Sequence, residues 1–255
     1  LFTCLRFCER TQLYRNNTPQ KANCMPSLSI ASIAHTARLA ALGSFLILTL
    51  PAAQAAELPN SAELQYVGPY HVPVNMTFNR TGNTYAVALR IHVPLYQIRF
   101  QSSGSISNNT LRPAVYMDTR NGKPYAEAHF SGHDVRYGKT GAEIQTSALN
   151  GPTFDLFSLA WQLAMNDGRL PAKLHITNGK KIYAVSGIRK IGDDMYRLGE
   201  RDIAISRYQI QRNDSSMEYA FAPKLGNIPV LISYMDNGKT YVLTLKSAKI
   251  NGQAM

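Results

Sequence analysis

Beyond residue 24 the chain holds no cysteine; Cys4, Cys8 and Cys24 are its three. A domain built from the later residues therefore has no disulfide, no thiolate metal ligand and no thiol nucleophile, which excludes cysteine-based zinc sites and thiol enzymes. The strongest apolar run, LAALGSFLILTL at 39–50, has 12 residues, short of the roughly 20 needed to span a bilayer as a helix. Tryptophan occurs once, at Trp161. Acidic residues are scarce, 16 against 27 lysines and arginines. Strand–helix alternation, the signature of a parallel sheet with crossover helices, is missing throughout.

The short apolar run reads as the core of an export signal. Arg38 precedes it, Pro51 follows, and Ala53-Gln54-Ala55 gives the small-x-small pattern of a signal-peptidase site. Cleavage is expected after Ala55. The chain opens on Leu1, and Met25 begins a well-formed leader, MPSLSIASIAHTAR. Translation is accordingly expected to start at Met25, with 1–24 an upstream segment, 25–55 a signal peptide and 56–255 a single domain. Subtracting the five basic residues and one acid of 1–55 leaves 22 and 15, a net charge of +7. In an exported protein that charge suits anionic envelope surfaces, not nucleic acid. Within 169–224 the basic residues are scattered among aliphatics and form no block, as on a solvated strand surface.

From 71 onward the hydrophobic period is two. Val72, Val74, Met76 and Phe78 alternate with polar residues, a turn follows at Arg80-Thr81-Gly82-Asn83, and Tyr85, Val87, Leu89 and Ile91 alternate again. Such a pair makes an antiparallel hairpin with one apolar face. Further strands are predicted at 96–105, 114–119, 124–130, 134–137, 174–177, 181–185, 203–211, 217–221, 230–235 and 240–247. Turn dipeptides such as Asn121-Gly122, Ser131-Gly132 and Asn178-Gly179 punctuate them, because these residues tolerate positive φ.

One segment breaks the period. TFDLFSLAWQLAM at 153–165 places Phe154, Phe157, Leu159, Ala160, Trp161, Leu163 and Ala164 at helical spacing over more than half a turn. Thr153 is expected to cap this helix, Asp155 to favour its positive end, and Asp167-Gly168 to stop it. So apolar a helix must be covered. The expected fold is mainly β: a curved antiparallel sheet, or open barrel, of about ten to twelve strands packed on one apolar helix.

Catalytic patterns are weak by comparison. Ser158 lacks the glycines of a nucleophile elbow. Gly138-Lys139-Thr140 and Gly238-Lys239-Thr240 lack the spacing and the following helix of a phosphate loop. His129, His133 and Asp134 could meet across Ser131-Gly132 to hold zinc, but a further ligand is not identifiable and turn histidines are the simpler reading. Asp193 and Asp194 point to opposite faces if on a strand, so they make a poor acid–base pair; with Glu200 and Asp202 they read as solvated turn acids. No catalytic, metal or cofactor site is assigned. Phe154, Phe157 and Trp161 are the candidates to line a ligand pocket between helix and sheet, or else simply to fill the core.

Three motifs carry a family resemblance. Thr110-Leu111-Arg112-Pro113 leads to an aromatic strand and the Arg120-Asn121-Gly122-Lys123 turn. Asp155-Leu156-Phe157-Ser158-Leu159-Ala160-Trp161-Gln162-Leu163 forms the apolar helix, and Asn227-Ile228-Pro229-Val230-Leu231-Ile232 precedes the last hairpin. In order and spacing these resemble the exported bacterial family known as "domain of unknown function 3108", over most of 63–250. Gly68-Pro69-Tyr70 departs from its glycine-rich start. The resemblance implies a periplasmic protein with a curved β-rich sheet and no established activity; it supplies no catalytic residues.

The function expected is a non-catalytic periplasmic protein that binds a lipid-like, apolar or amphiphilic ligand for envelope maintenance. The alternative is an envelope interaction protein that binds a glycan or protein partner through its surface.

Overall fold

The structure is a computed structural model, and the residues described are 58–171, 173–212, 215–236 and 238–255. The expected upstream segment and signal peptide lie outside them.

Among the described residues sixteen strands form one sheet around one α-helix, more strands than the sequence pattern predicts. The first half is a meander of eight: β1 (Ser61–Val67), β2 (Pro73–Thr81), β3 (Thr84–Val93), β4 (Tyr96–Ser107), β5 (Thr110–Arg120), β6 (Lys123–Ser131), β7 (Asp134–Lys139) and β8 (Gln145–Ala148). Then come β9 (Thr153–Asp155) and α1 (Leu156–Met165). The second half contains β10 (Leu174–Thr177), β11 (Ile182–Leu198), β12 (Arg201–Arg212), β13 (Ser216–Ala222), β14 (Ile228–Asp236), β15 (Lys239–Ile250) and the short β16 (Gln253–Ala254). β1 pairs with both β2 and β15, so the two meanders share one sheet whose edges are β8 and β9. Every pairing is antiparallel except β9 with β10.

The two edges are consecutive in the chain. From Ala148 to Thr153 the backbone reaches at most ~18 Å, whereas fifteen strands laid flat side by side would span about 65 Å. The sheet must therefore curl until its edges approach. A contact between distant strands agrees: Tyr196 Oη of β11 donates to Leu245 O of β15 at 2.5 Å, although three strands separate them in the sheet. The sheet stays open, because β8 and β9 are not paired.

Inside the curl the alternating residues Ala62, Leu64, Tyr66, Val74, Met76, Phe78, Tyr85, Val87 and Leu89 are buried. They meet α1, of which only Leu156 escapes burial. A helix enclosed on all sides needs its terminal backbone groups satisfied from the surrounding protein. Here the structure corrects the capping expectation: Thr153 belongs to β9, and Asp155 is the N-cap. Asp155 Oδ1 accepts from Phe157 N at 2.9 Å and Ser158 N at 3.0 Å, and Ser158 Oγ accepts from Asp155 N at 3.1 Å, a capping box. At the other end Asn227 Nδ2 donates to Ala164 O, and Gly168 N donates to Leu163 O at 2.8 Å. Gly168 has φ +76°, and a Cβ there would collide with the Tyr208 ring, so glycine is required on both counts. Both polar atoms of the Gln162 amide have partners as well, Oε1 accepting from Leu111 N and Nε2 donating to Asn109 O. The greasy rod is held in place by polar contacts.

Candidate functional site

The hairpins of the curled sheet fall into two sets. Those after β1, β3, β5, β7, β10, β12 and β14 share one end with the N-terminus of α1, and there the interior is not filled. A cavity of about 300 Å³ opens between Leu156 and Phe157 of the helix and the inner face of the sheet. Its walls are Val74, Ile91, Ile98, Phe100, Tyr116 and Leu243; Arg120, Lys180, Arg212 and Asp118 also line it. The wall is apolar because inward positions on alternating strands are apolar. The charges lie where strands run out into turns.

The polar lining is ordered by specific contacts. Arg120 donates to Asp118 through Nε at 3.0 Å and Nη2 at 2.9 Å. Its hydrogen bonds to that carboxylate hold its pKa above the usual value, and its guanidinium lies 4.3 Å from the Tyr125 ring centre. Arg212 donates to Ser215 Oγ and stacks over the Tyr183 ring at 4.1 Å. Burial, reinforced by the Asp118 charge, pushes the Tyr116 phenol well above its ordinary pKa, so it faces the cavity as a neutral group.

Behind the cavity lies a buried polar cluster. The second carboxylate oxygen of Asp155 accepts from Ser102 Oγ at 2.5 Å and from Ser158 Oγ at 2.6 Å. The Tyr85 hydroxyl is buried beside both serines. Burial first, then the nearby Asp155 charge, raises its pKa. Ser158 thus serves the helix cap, as a serine in a helix end usually does.

Of the three aromatic candidates, Phe157 lines the cavity and packs on Phe100 at 5.3 Å between ring centres. Phe154 and Trp161 are fully buried and are not part of the lining; Trp161 stacks on Phe78 at 4.2 Å. The remaining lining residues come from ten strands, from Leu156 of α1 and from the turns after β1 and β10. For those on strands the sequence signal is the inward position in an alternating pattern.

Histidines 129 and 133 are not brought together with Asp134 into a ligand set. His129 is half exposed on β6 with Glu127 3.4 Å away, and among the described residues no group of three His, Cys, Asp or Glu could hold a metal ion. Asp193 and Asp194 lie within β11, not in a turn. Asp193 pairs with Lys190 at 2.6 Å and Ser206 at 2.7 Å, while Asp194 pairs with Arg207 at 3.6 Å. Among the described residues no helix is long and apolar enough to cross a membrane.

A family described as "Protein of unknown function (DUF3108)" matches the chain over residues 71–246. No curated protein matches it.

Proposed function

The chain belongs to the DUF3108 family, and from that premise we propose that it is a non-catalytic protein of the bacterial periplasm that holds an apolar or amphiphilic, lipid-like ligand for the cell envelope. The cavity beside Phe157 carries this reading. Its volume, about 300 Å³, is at the lower end for ligand sites, which favours one chain-sized group over a two-tailed lipid. Its walls suit hydrocarbon, and Arg120, Lys180 and Arg212 around it suit an anionic head.

The surface at that end supports the same reading. Tyr70 and Leu95 stand on turns there with relative exposures of 96% and 102%, and the exposed basic residues Lys123, Lys181 and Lys239 lie at the same end of the sheet. Exposed bulky apolar groups among lysines are what an anionic bilayer surface attracts. The export signal read from residues 25–55 would bring the chain to such a surface.

The test is a native mass spectrum and solvent extract of purified protein, with titration of a fluorescent fatty acid. The expected result is co-purified lipid, or a saturable blue shift that unlabelled fatty acid reverses. A protein free of lipid that also leaves the fluorophore unshifted would overturn the proposal.

A further inference from the structure

A second hollow, of about 360 Å³, lies on the opposite, outward face of β2–β5. Arg90 and Arg99 line it with Thr77, Asn79, Gln101 and Ser103. The register sets Arg90 of β3 directly across from Arg99 of β4. Directly opposed side chains have Cβ atoms ~5 Å apart, and like charges so placed repel. Sheets normally relieve such a pair with a carboxylate. Here the cross-strand neighbours in the same row are Asn75 and Thr119. No carboxylate lines the hollow, and among the described residues neither arginine forms an ion pair. Arg99 Nε is moreover buried with no hydrogen-bond partner. Buried donors are nearly always satisfied, so a buried, unpaired Nε–H on one arginine set against a second arginine makes a place where an anion would be stabilised.

We propose that the Arg90–Arg99 hollow binds a phosphate group. Two permanently charged planar forks suit a tetrahedral oxyanion, which each can hold through paired N–H donors. The hydroxyl and amide groups of Thr77, Asn79, Gln101 and Ser103 supply the neutral donors that complete such a cradle. Ala86 and Ala88 leave room above the strand, so the phosphate can arrive on a larger carrier, such as a glycerol phosphate head group. The site is independent of the interior cavity, because alternate residues of the same strands face the two.

The experiment titrates inorganic phosphate against chloride at constant ionic strength, following the Arg Nε–H resonances by NMR and the melting temperature. The wild-type chain is expected to give a saturable shift at Arg99 and a phosphate-dependent rise in melting temperature. Arg90→Gln and Arg99→Gln should weaken binding by roughly tenfold or more, and Arg99→Lys should weaken it despite the retained charge. Lys246→Gln, an equal charge change at an exposed position of β15, should leave it intact. Without phosphate, Arg99→Gln should melt no lower than wild type, which separates an anion site from a structural arginine. Fatty-acid binding in the interior should be unchanged in these variants. Tighter binding of glycerol phosphate than of inorganic phosphate identifies a head-group ligand, and equal binding a free anion; both support the site. Absence of a saturable shift, or equal loss in Lys246→Gln, overturns it.

Discussion

Trp161 and Phe157 stand one turn apart on the same face of α1, yet the interior around them differs completely. Trp161 is sealed, stacked on Phe78 at 4.2 Å with no exposed surface. Phe157 has a packed side against Phe100 and an open side on the cavity. One helical turn, ~5.4 Å of axis, takes the molecule from solid core to hollow. The ends of the curled sheet differ to match. Beyond Trp161 the turns are short and polar, such as Gly82-Asn83 and Asn108-Asn109; beyond Phe157 they carry Tyr70, Leu95 and a set of lysines. Filling gives stability at one end, and its omission leaves a cavity at the other.

Substitutions can break or sharpen that contrast. The largest effect is expected for Trp161→Ala. It should cost about 3–5 kcal/mol in urea unfolding, as an aromatic removed from a filled core does, while the molecules that remain folded keep their affinity for fatty acid. Asp155→Ala follows, at about 2–3 kcal/mol, since Phe157 N, Ser158 N and Ser102 Oγ lose their buried acceptor; Asp155→Asn should recover part of it.

Phe157→Ala should cost less than about 3 kcal/mol, because the site already borders empty space, and should alter ligand affinity where Trp161→Ala does not. Val93 of β3 lines the interior cavity, and Val93→Trp places a ring into it. Its expected stability cost is below about 1.5 kcal/mol, with loss of the blue shift in the fatty-acid titration. Equal responses to Trp161→Ala and Phe157→Ala in both assays would erase the distinction between the two halves.

The smallest effect is a pH dependence. His175 on β10 has its pKa lowered by burial, and its Nδ1 has no partner. The unfolded chain therefore binds a proton more readily, so stability is retained above the ordinary histidine range and declines as pH falls from about 6.5 towards the lowered folded value. Replacement by Gln should flatten that decline in melts taken between neutral and acid pH.

Much of this architecture was legible in the residues. Alternation marked the hairpin of β2 and β3, and β10 falls where its LHIT pattern predicts. Other elements were obscured for identifiable reasons. β5 begins before Pro113, which argues against a strand interior; a register shift at Ser103 and Gly104 accommodates it. β11 runs 17 residues through Gly187, Gly192 and a charged stretch, and was obscured because residues 189–191 and 193–195 are exposed and show no apolar period. β8 and β9 are short, and β9 owes its strand form to pairing with β10 rather than to local pattern.

The site divides along the same line. Phe157 was legible as an aromatic on the one apolar helix, whereas Arg120, Lys180 and Arg212 were not, since nothing local tells a charged turn residue what lies beside it.

By itself the sequence determined that this chain makes hairpins, contains one helix that cannot face water, and must wrap the first around the second. These follow from local periodicity and the free energy of apolar burial. Where the interior is left empty, and that Arg90 comes to face Arg99, were decided only by the tertiary structure. A void is the difference between the space that distant strands enclose and the side chains they bring, and an opposition of charges depends on register between strands; neither quantity belongs to any one segment.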